Sequence, residues 1–172
     1  MRNHGLTLTE LLITLAIVAI LATQATPFIQ NMLDRHRVRI AFDALHQDLS
    51  LARNHAIQQR QTAIICTSTN GQSCEARDWH QGRIVFLDYN RNLARDNNEP
   101  LIASHHPEKQ LNIVFNGFRS NHMIRFYPSG GVDSNGRFFV CNQREHIIQS
   151  SLVISRSGRI RLEERAANAG NC

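Results

Sequence analysis

The sequence contains a single lysine, Lys109, so nearly all of its positive charge comes from arginine. With 19 basic and 14 acidic residues, the formal net charge is +5. Arginine presents a planar fork that binds phosphate or carboxylate through two hydrogen bonds, whereas lysine offers a hydrated point charge. This bias favours an anionic partner. The alternative is that the modest positive charge only keeps the protein soluble.

Motifs of catalysis and of zinc binding are missing. The nine histidines form no HExxH motif and no His/Cys cluster with zinc spacing. No serine lies in a GxSxG elbow or another local nucleophile motif. We therefore expect no enzyme activity and no cofactor.

A polar loop between Asp88 and Glu99 matches a calcium-binding template in part. The acids and amides at template positions 1, 3, 5, 9 and 12 are Asp88, Asn90, Asn92, Asp96 and Glu99. Leu93 occupies the sixth position, where the template needs glycine, and two arginines oppose a cation. We expect a loop satisfied by its own turns, and no metal.

The cysteines include no CxxC pair. The four of them are Cys66, Cys74, Cys141 and Cys172, and three disulfide pairings are allowed outside the reducing cytosol. We favour Cys66–Cys74 because CTSTNGQSC contains an Asn-Gly turn, which leaves Cys141–Cys172 to tie down the terminus. The alternative is four free, buried thiols, which the terminal position of Cys172 disfavours.

Charge is absent from Leu11 to Leu33, a length that suffices to span a bilayer as a helix. Glu10 stands at the edge of this stretch, where an ionised carboxylate is costly and indicates a functional partner. A secretory signal peptide would have a shorter apolar region and a small-residue cleavage site, and no clear site follows here.

The stretch GLTLTELL, Gly5 to Leu12, resembles the type IV prepilin signature. The resemblance implies that a prepilin peptidase cuts after Gly5 and N-methylates Leu6. It also implies that Glu10 pairs with the amino terminus of a neighbouring subunit, and that Pro27 is the helix-kinking proline common in pilins. The alternative is a plain membrane anchor with an incidental acid.

Past Pro27 the pattern becomes amphipathic, and we predict one helix from about residue 6 to about residue 59. The apolar positions recur at spacings of three and four, at Ala41, Leu45, Leu49, Ala52 and Ala56. The other side offers Arg35, Arg37, Arg39, Asp43, Asp48 and Arg53. The basic run from Asp34 to Ile40 is interpreted as a solvated helix face, with anionic lipid binding as the alternative.

Short apolar runs after Arg60 predict a β-rich domain. The predicted strands are TAIIC, RIVFLD, LNIVF, MIRFYP, RFFVC, SLVIS and RIRLE. Asn-Gly pairs at 70–71, 116–117 and 135–136 predict tight turns. The fold class is α+β, a long N-terminal helix packed on a C-terminal antiparallel sheet domain.

The stretch from Asp78 to Ile102, with its Trp-x-x-Gly strand and Glu-Pro, resembles the GspH/FimT group of minor pilins, as does the late SGRIRL. The resemblance implies a leader at 1–5, a transmembrane and filament-core helix at 6–33, an amphipathic half at 34–60 and a globular pilin domain at 61–172. It implies a single pass of the bacterial inner membrane with a periplasmic domain, then the pilus at the cell surface.

The basic stretch SRSGRIRLEER, Ser155 to Arg165, lies near the end of the chain. Strand alternation predicts Arg159 and Arg161 on one face, about 6.5 Å apart, close to the spacing of successive phosphates along a nucleic-acid strand. Ile160 and Leu162 would occupy the other face. Because the sequence offers no signature for reading bases, any nucleic-acid contact would be independent of base sequence.

The letters GRIR look like the Gly-Arg-x-Arg motif by which FimT-type minor pilins bind DNA during uptake for natural transformation. Carried over by position, the motif residues are Gly158, Arg159 and Arg161, with Arg156 and Arg165 at the margins. The alternative is a structural minor pilin, or a GspH-like type II secretion pseudopilin, that primes filament assembly without binding DNA.

Overall fold

The computed structural model describes residues 7–75, 78–108, 111–142 and 150–164. A single helix, α1, runs from Leu8 to Gln59, close to the predicted bounds. The chain divides into two compact units between Arg37 and Val38. The proposed boundaries at 33/34 and 60/61 stay predictions.

The first unit is the N-terminal part of α1. Its most apolar 18-residue stretch has a mean hydropathy of 2.0, and none of it is buried. This part of α1 is therefore long and apolar enough to cross a membrane.

The second unit contains the rest of α1 and the strands. The five apolar residues predicted to share a helix face, Ala41, Leu45, Leu49, Ala52 and Ala56, are at most 1% exposed. Residues three and four apart lie on one side of a helix, so this stripe meets the sheets continuously. The predicted apolar face of the helix is confirmed at these five positions.

Eight strands lie in the described residues and form two four-stranded antiparallel sheets. The strands are β1 (Thr62–Thr67), β2 (Arg83–Asp88), β3 (Leu101–His105), β4 (Leu111–Gly117), β5 (Met123–Phe126), β6 (Gly136–Asn142), β7 (Ser150–Ile154) and β8 (Ile160–Glu164). A short 3-10 helix, η1, covers Trp79–Gln81. The strand orders are β3-β2-β1-β5 and β4-β6-β7-β8, which confirms the α+β fold class.

The main core combines the buried stripe of α1 with apolar side chains from both sheets and Trp79. A second, smaller cluster contains Ile64, Cys66, Ile84 and Phe86, with Leu93 packed against it. Alternate residues of a strand point to opposite faces. Because every residue of β1 and β2 is buried, both faces of these strands are covered. This explains why both strands read in the sequence as continuous apolar runs.

Strand β3, Leu101–His105, was not among the predicted strands. Most of β3 is exposed or half-buried, and it lies at the edge of its sheet. Its backbone pairs with β2, and its partly buried Ile102 and Ala103 pack against the main core. Because backbone pairing leaves no mark on hydrophobic periodicity, the periodicity of the sequence does not predict this edge strand.

Two of the three predicted Asn-Gly turns are wrong. Asn116 and Gly117 end β4, Gly136 begins β6, and the two glycines face each other across the ladder. A Cβ on Gly136 would lie 2.8 Å from the Cα of Gly117 and 2.8 Å from the ring of Phe115. These glycines therefore allow a close approach of two strands beneath an aromatic ring.

The third pair, Asn70-Gly71, does lie in a turn region, between the two cysteines of a disulfide. The Asn70 Oδ1 accepts hydrogen bonds from the backbone N–H of Gln72 at 2.7 Å and of Ser73 at 2.9 Å. Cys66 and Cys74 are bonded, with their Cα atoms 5.6 Å apart, so this predicted disulfide is confirmed. Cys141 is also disulfide-bonded, and its predicted partner Cys172 lies outside the described residues.

The assignment of Asp48 to the polar side of α1 is wrong, because this residue is only 3% exposed. Its Oδ2 accepts a hydrogen bond of 2.6 Å from the Nε of Arg83, which is also buried, at the start of β2. Its Oδ1 lies 2.9 Å from the Nε2 of His105 on β3. A buried ion pair therefore connects the helix to the sheet. The only sign of this pair in the sequence is Arg83 itself, a charged residue at the start of the apolar run RIVFLD.

Candidate functional site

The predicted motif lies in the hairpin of β7 and β8. The backbone N–H of Ser155 donates to the carbonyl of Arg159 at 3.0 Å, and the N–H of Gly158 donates to the carbonyl of Ser155 at 2.8 Å. The Ser155 hydroxyl also accepts from the N–H of Arg159 at 3.2 Å. These bonds close a tight turn over Ser155–Arg159, which we name the motif turn.

Gly158 occupies the left-handed region with a φ of +73°, which costs an L-residue with a side chain about 1–2 kcal/mol. A Cβ at this position would also overlap the carbonyl oxygen of Gly130 and approach the Nε of Arg53 to 3.1 Å. The same Nε donates a hydrogen bond of 3.1 Å to that carbonyl. The motif glycine is therefore required where the turn meets a loop and the helix α1.

Substituting alanine for Gly158 is expected to lower the free energy of unfolding by about 1–2 kcal/mol or more, because it adds backbone strain and a collision with Gly130. The measurement is urea denaturation of the full-length chain in detergent micelles. Gly131→Ala is the matched control, since its Cβ would lie 3.2 Å from the carbonyl of Arg156 without a left-handed φ. Equal losses in the two variants would contradict this account.

Arg159 and Arg161 flank Ile160, which packs against the main core. Both arginines are exposed, so the alternation expected from the sequence holds at these three positions. Arg159 precedes the first residue of β8, and its side chain has no hydrogen-bond or ion-pair partner within the described ranges. Leu162 is paired with the buried Leu152 but is itself 52% exposed.

Arg161 shares a carboxylate with a second arginine. Its guanidinium lies 2.7 Å from Glu163 Oε1, and the guanidinium of Arg137 on β6 lies 3.1 Å from Glu163 Oε2. Arg161 is 55% exposed, and exposed ion pairs contribute at most about 1 kcal/mol. Arg161 is therefore accessible to an anion, but that anion must compete with Glu163.

Arg156 lies on the other side of the motif turn and lines a cavity of about 280 Å³. The cavity is also lined by Phe118, Arg119, Tyr127, Val132 and Asp133. Asp133 is engaged by the backbone N–H and the Nε of Arg125, each at 2.9 Å.

Arg125 stays charged beside this cavity. Desolvation works against its charge, but the hydrogen bond and attraction from Asp133, with smaller contributions from Tyr127 and Asp88, raise the pKa of Arg125 above its usual value. The Asp133 carboxylate is therefore neutralised by a partner outside the cavity lining.

Several predicted site residues lie outside the described residues: Gly5, Leu6, Arg165 and Cys172. The side chain of Pro27 is likewise not described, although its backbone belongs to α1. Glu10 is exposed, and its Oε2 accepts hydrogen bonds from the backbone N–H and the hydroxyl of Thr7, each at 3.3 Å. The Thr7 hydroxyl in turn accepts from the N–H of Glu10 at 3.3 Å, so the pair caps the start of α1.

The carboxylates of the loop from Asp88 to Glu99 all have partners inside the loop. Asp88 accepts from two backbone N–H groups, each at 3.2 Å. Glu99 accepts from the N–H of Tyr89 at 2.7 Å and of Asp96 at 3.0 Å. Asp96 accepts from the side-chain amides of Asn90 at 2.6 Å and Asn92 at 2.9 Å. Within the described ranges, no three His, Cys, Asp or Glu residues are grouped to hold a metal ion.

Comparison with known families gives two matches. Residues 41–158 match the family described as Type II transport protein GspH, and residues 1–23 match the prokaryotic N-terminal methylation motif. The chain belongs to the GspH family. Its members are minor pilins and pseudopilins, which are structural subunits rather than enzymes. Membership implies contact with other pilin subunits, and the methylation motif implies processing by a prepilin peptidase.

Solved structures of similar proteins share the fold. The type IV minor pilin FimU of Pseudomonas aeruginosa aligns with a TM-score of 0.54 and 22% identity, over 73% of this chain and 91% of its own. The minor pseudopilin EpsH of the Vibrio cholerae Type 2 Secretion System aligns with a TM-score of 0.54 and 12% identity, over 74% of this chain and 97% of its own. No curated protein matches the chain significantly.

The family match ends at Gly158. Arg159 and Arg161, which carry the predicted DNA contact, lie just beyond it, so family membership does not bear on them. The methylation motif and the apolar part of α1 fit anchoring in the inner membrane before assembly into a filament.

Proposed function

We propose that this chain is a minor type IV pilin that enters a pilus and binds extracellular DNA through Gly158, Arg159 and Arg161, with Arg156 and Arg165 assisting. In this role it supports DNA uptake in natural transformation. It would first cross the inner membrane once, with its domain in the periplasm, and it would have no enzyme activity. Leu6, Glu10 and Pro27 would serve processing and assembly.

The observation that carries the proposal is the exposure of Arg159, at the end of the motif turn, and of Arg161 on β8. The Arg159 guanidinium is exposed and has no protein partner in the described part of the chain, so a phosphate group would not have to displace one. Phosphate contacts position a protein on DNA without reading sequence. The proposed binding is therefore independent of sequence and sensitive to salt.

A second candidate is a structural minor pilin or pseudopilin that primes assembly without DNA. Two observations favour it. Glu163 already neutralises part of the charge of Arg161 and Arg137, as in an ordinary surface network. The two aligned structures are those of a type IV minor pilin and of a minor pseudopilin from a secretion system.

The double substitution of Arg159→Gln with Arg161→Gln is expected to lower the affinity for duplex DNA about tenfold or more at low salt, because it removes two phosphate contacts. The measurement is a fluorescence titration of labelled DNA with the full-length chain in detergent micelles. For two contacts, the wild-type affinity should itself fall roughly tenfold over a fourfold rise in salt. The matched control removes two exposed arginines elsewhere, Arg39→Gln with Arg91→Gln, and should bind like the wild type.

Glu163→Gln provides a test in the opposite direction. Removing this carboxylate frees Arg161 and Arg137, so affinity should rise by up to about fivefold, the equivalent of an exposed ion pair. Absence of binding at low salt, or equal binding by wild type and the double variant, would sink the DNA proposal in favour of the structural candidate.

A further inference from the structure

A cleft lies between the motif turn and the helix α1. It has a volume of about 250 Å³ and is lined by His46, Ser50, Arg53, Asn54, Gly158, Arg159 and Ile160. His46, Ser50 and Asn54 follow each other at four-residue spacing and Arg53 lies beside them, so they share one side of the helix. The cleft is smaller than the roughly 300–1,000 Å³ of a site for a drug-sized molecule. Its size suits a small group rather than a whole ligand.

The chemistry of the lining is one-sided. It contains two arginines, one histidine, and the hydroxyl and amide of Ser50 and Asn54, and no carboxylate. By contrast, the cavity beside Arg156 contains Asp133, and Arg161 is engaged by Glu163. Arginine and neutral donors without a competing acid are the groups that bind a phosphate oxygen.

Arg53 is held in position for such a contact. Its Nε donates to the carbonyl of Gly130 at 3.1 Å, which fixes the plane of the guanidinium against the loop. An arginine has two further nitrogens with four N–H groups, and in the described ranges they have no hydrogen-bond partner. The absence of a Cβ on Gly158 leaves room for this guanidinium beside the motif turn.

We propose that this cleft is a phosphate-binding subsite, in which Arg53 and Arg159 hold one phosphodiester group of the DNA backbone and Ser50, Asn54 and His46 complete the lining. The inference rests on the proposed DNA binding and deepens it. It extends the contact surface from the hairpin to the helix, and it gives the motif glycine a part in binding. The bound phosphate lies on the Arg159 side of the motif, away from Glu163.

The test compares two cleft variants with a charge-matched control. Arg53→Gln should lower DNA affinity about five- to tenfold at low salt and reduce the slope of log affinity against log salt by about 0.9, the value for one phosphate contact. Asn54→Asp places a carboxylate in the cleft without touching the Gly130 contact, and should lower affinity similarly. Asn98→Asp adds the same charge on a distant exposed loop and should have no effect. All three are assayed as full-length chains in micelles, alongside the Arg159→Gln, Arg161→Gln variant.

A second probe separates the two proposals. The phosphorus NMR signal of inorganic pyrophosphate should broaden when the wild-type protein is added, but not when Arg53→Gln or Asn54→Asp is added. If the motif variant loses DNA while both cleft variants keep wild-type affinity and slope, the cleft inference is overturned and the DNA proposal stands. If the wild type binds no DNA, the DNA proposal fails together with the phosphodiester assignment, and pyrophosphate binding lost in the cleft variants would leave a site for free phosphate only. If the cleft variants bind DNA and pyrophosphate like the wild type but enter filaments poorly, the cleft is a contact surface for a neighbouring subunit and the inference is overturned.

Discussion

Replacing Asp48 with alanine is expected to lower the free energy of unfolding by about 3–5 kcal/mol, because it leaves the charge of Arg83 buried without its main partner. The Arg83 side chain is 1% exposed and that of Asp48 is 4% exposed. The remaining acid, Glu108, lies 3.4 Å from the Arg83 Nη1, and the Arg83 Nη2 has no partner among the described residues. Glu108 would therefore compensate only in part.

The measurement is urea denaturation of the full-length chain in micelles, followed by fluorescence of Trp79, the one tryptophan of the sequence. Asp43→Ala removes an exposed carboxylate from the same helix and should change stability by less than about 0.5 kcal/mol. The double variant Asp48→Leu with Arg83→Met removes both charges, and should be much closer to the wild type than either single change. A loss below about 1 kcal/mol for Asp48→Ala would show that water reaches the pair and that it does not anchor helix to sheet.

Replacing Trp79 with alanine is expected to cost about 3–5 kcal/mol of unfolding free energy, the range for removing a large aromatic side chain from a core. The indole is 1% exposed. It packs edge-on against Phe138, with ring centroids 4.8 Å apart, and against Phe115 at 6.1 Å. Its Nε1 donates a hydrogen bond of 2.6 Å to the carbonyl of Asn121. The substitution removes this donor and leaves the carbonyl without it.

Far-UV circular dichroism during urea denaturation reports this change, since the fluorescent residue itself is removed. Trp79→Phe keeps most of the apolar contact and loses the hydrogen bond, so it should lie between the wild type and Trp79→Ala. Phe118→Ala is the matched control, because this phenylalanine is 73% exposed. If Trp79→Ala and Phe118→Ala had equally small effects, the packing of the tryptophan would not stabilise the core.

The main features of the fold were predictable because they are encoded locally. The apolar stripe from Ala41 to Ala56 has helical spacing, β1 and β2 read as buried strands, and Cys66 and Cys74 bracket a turn. Each of these signals lies within one element or one short loop. Strand β3 escaped prediction because none of its residues is fully buried and it is identified by its pairing with β2. The two Asn-Gly pairs were misread because their glycines serve a contact between strands.

The residues of the candidate site were likewise predictable only in part. The sequence identified Gly158, Arg159 and Arg161, since strand alternation around Ile160 already places the two arginines outward. It could not identify Arg53, which reaches the motif turn from a position more than a hundred residues earlier through the carbonyl of Gly130. Nor could it show that Glu163 already engages Arg161 and Arg137.

By itself the sequence determined the helix that is apolar and long enough to span a membrane, the processing motif, most of the strands and the basic motif SGRIRL. These depend on composition, spacing and periodicity along the chain. Only the tertiary structure decided which charges are buried, which arginines are accessible, and which side chains of α1 meet the motif turn. Burial and charge pairing depend on distances between residues far apart in sequence, and those distances exist only once the helix and both sheets have packed together.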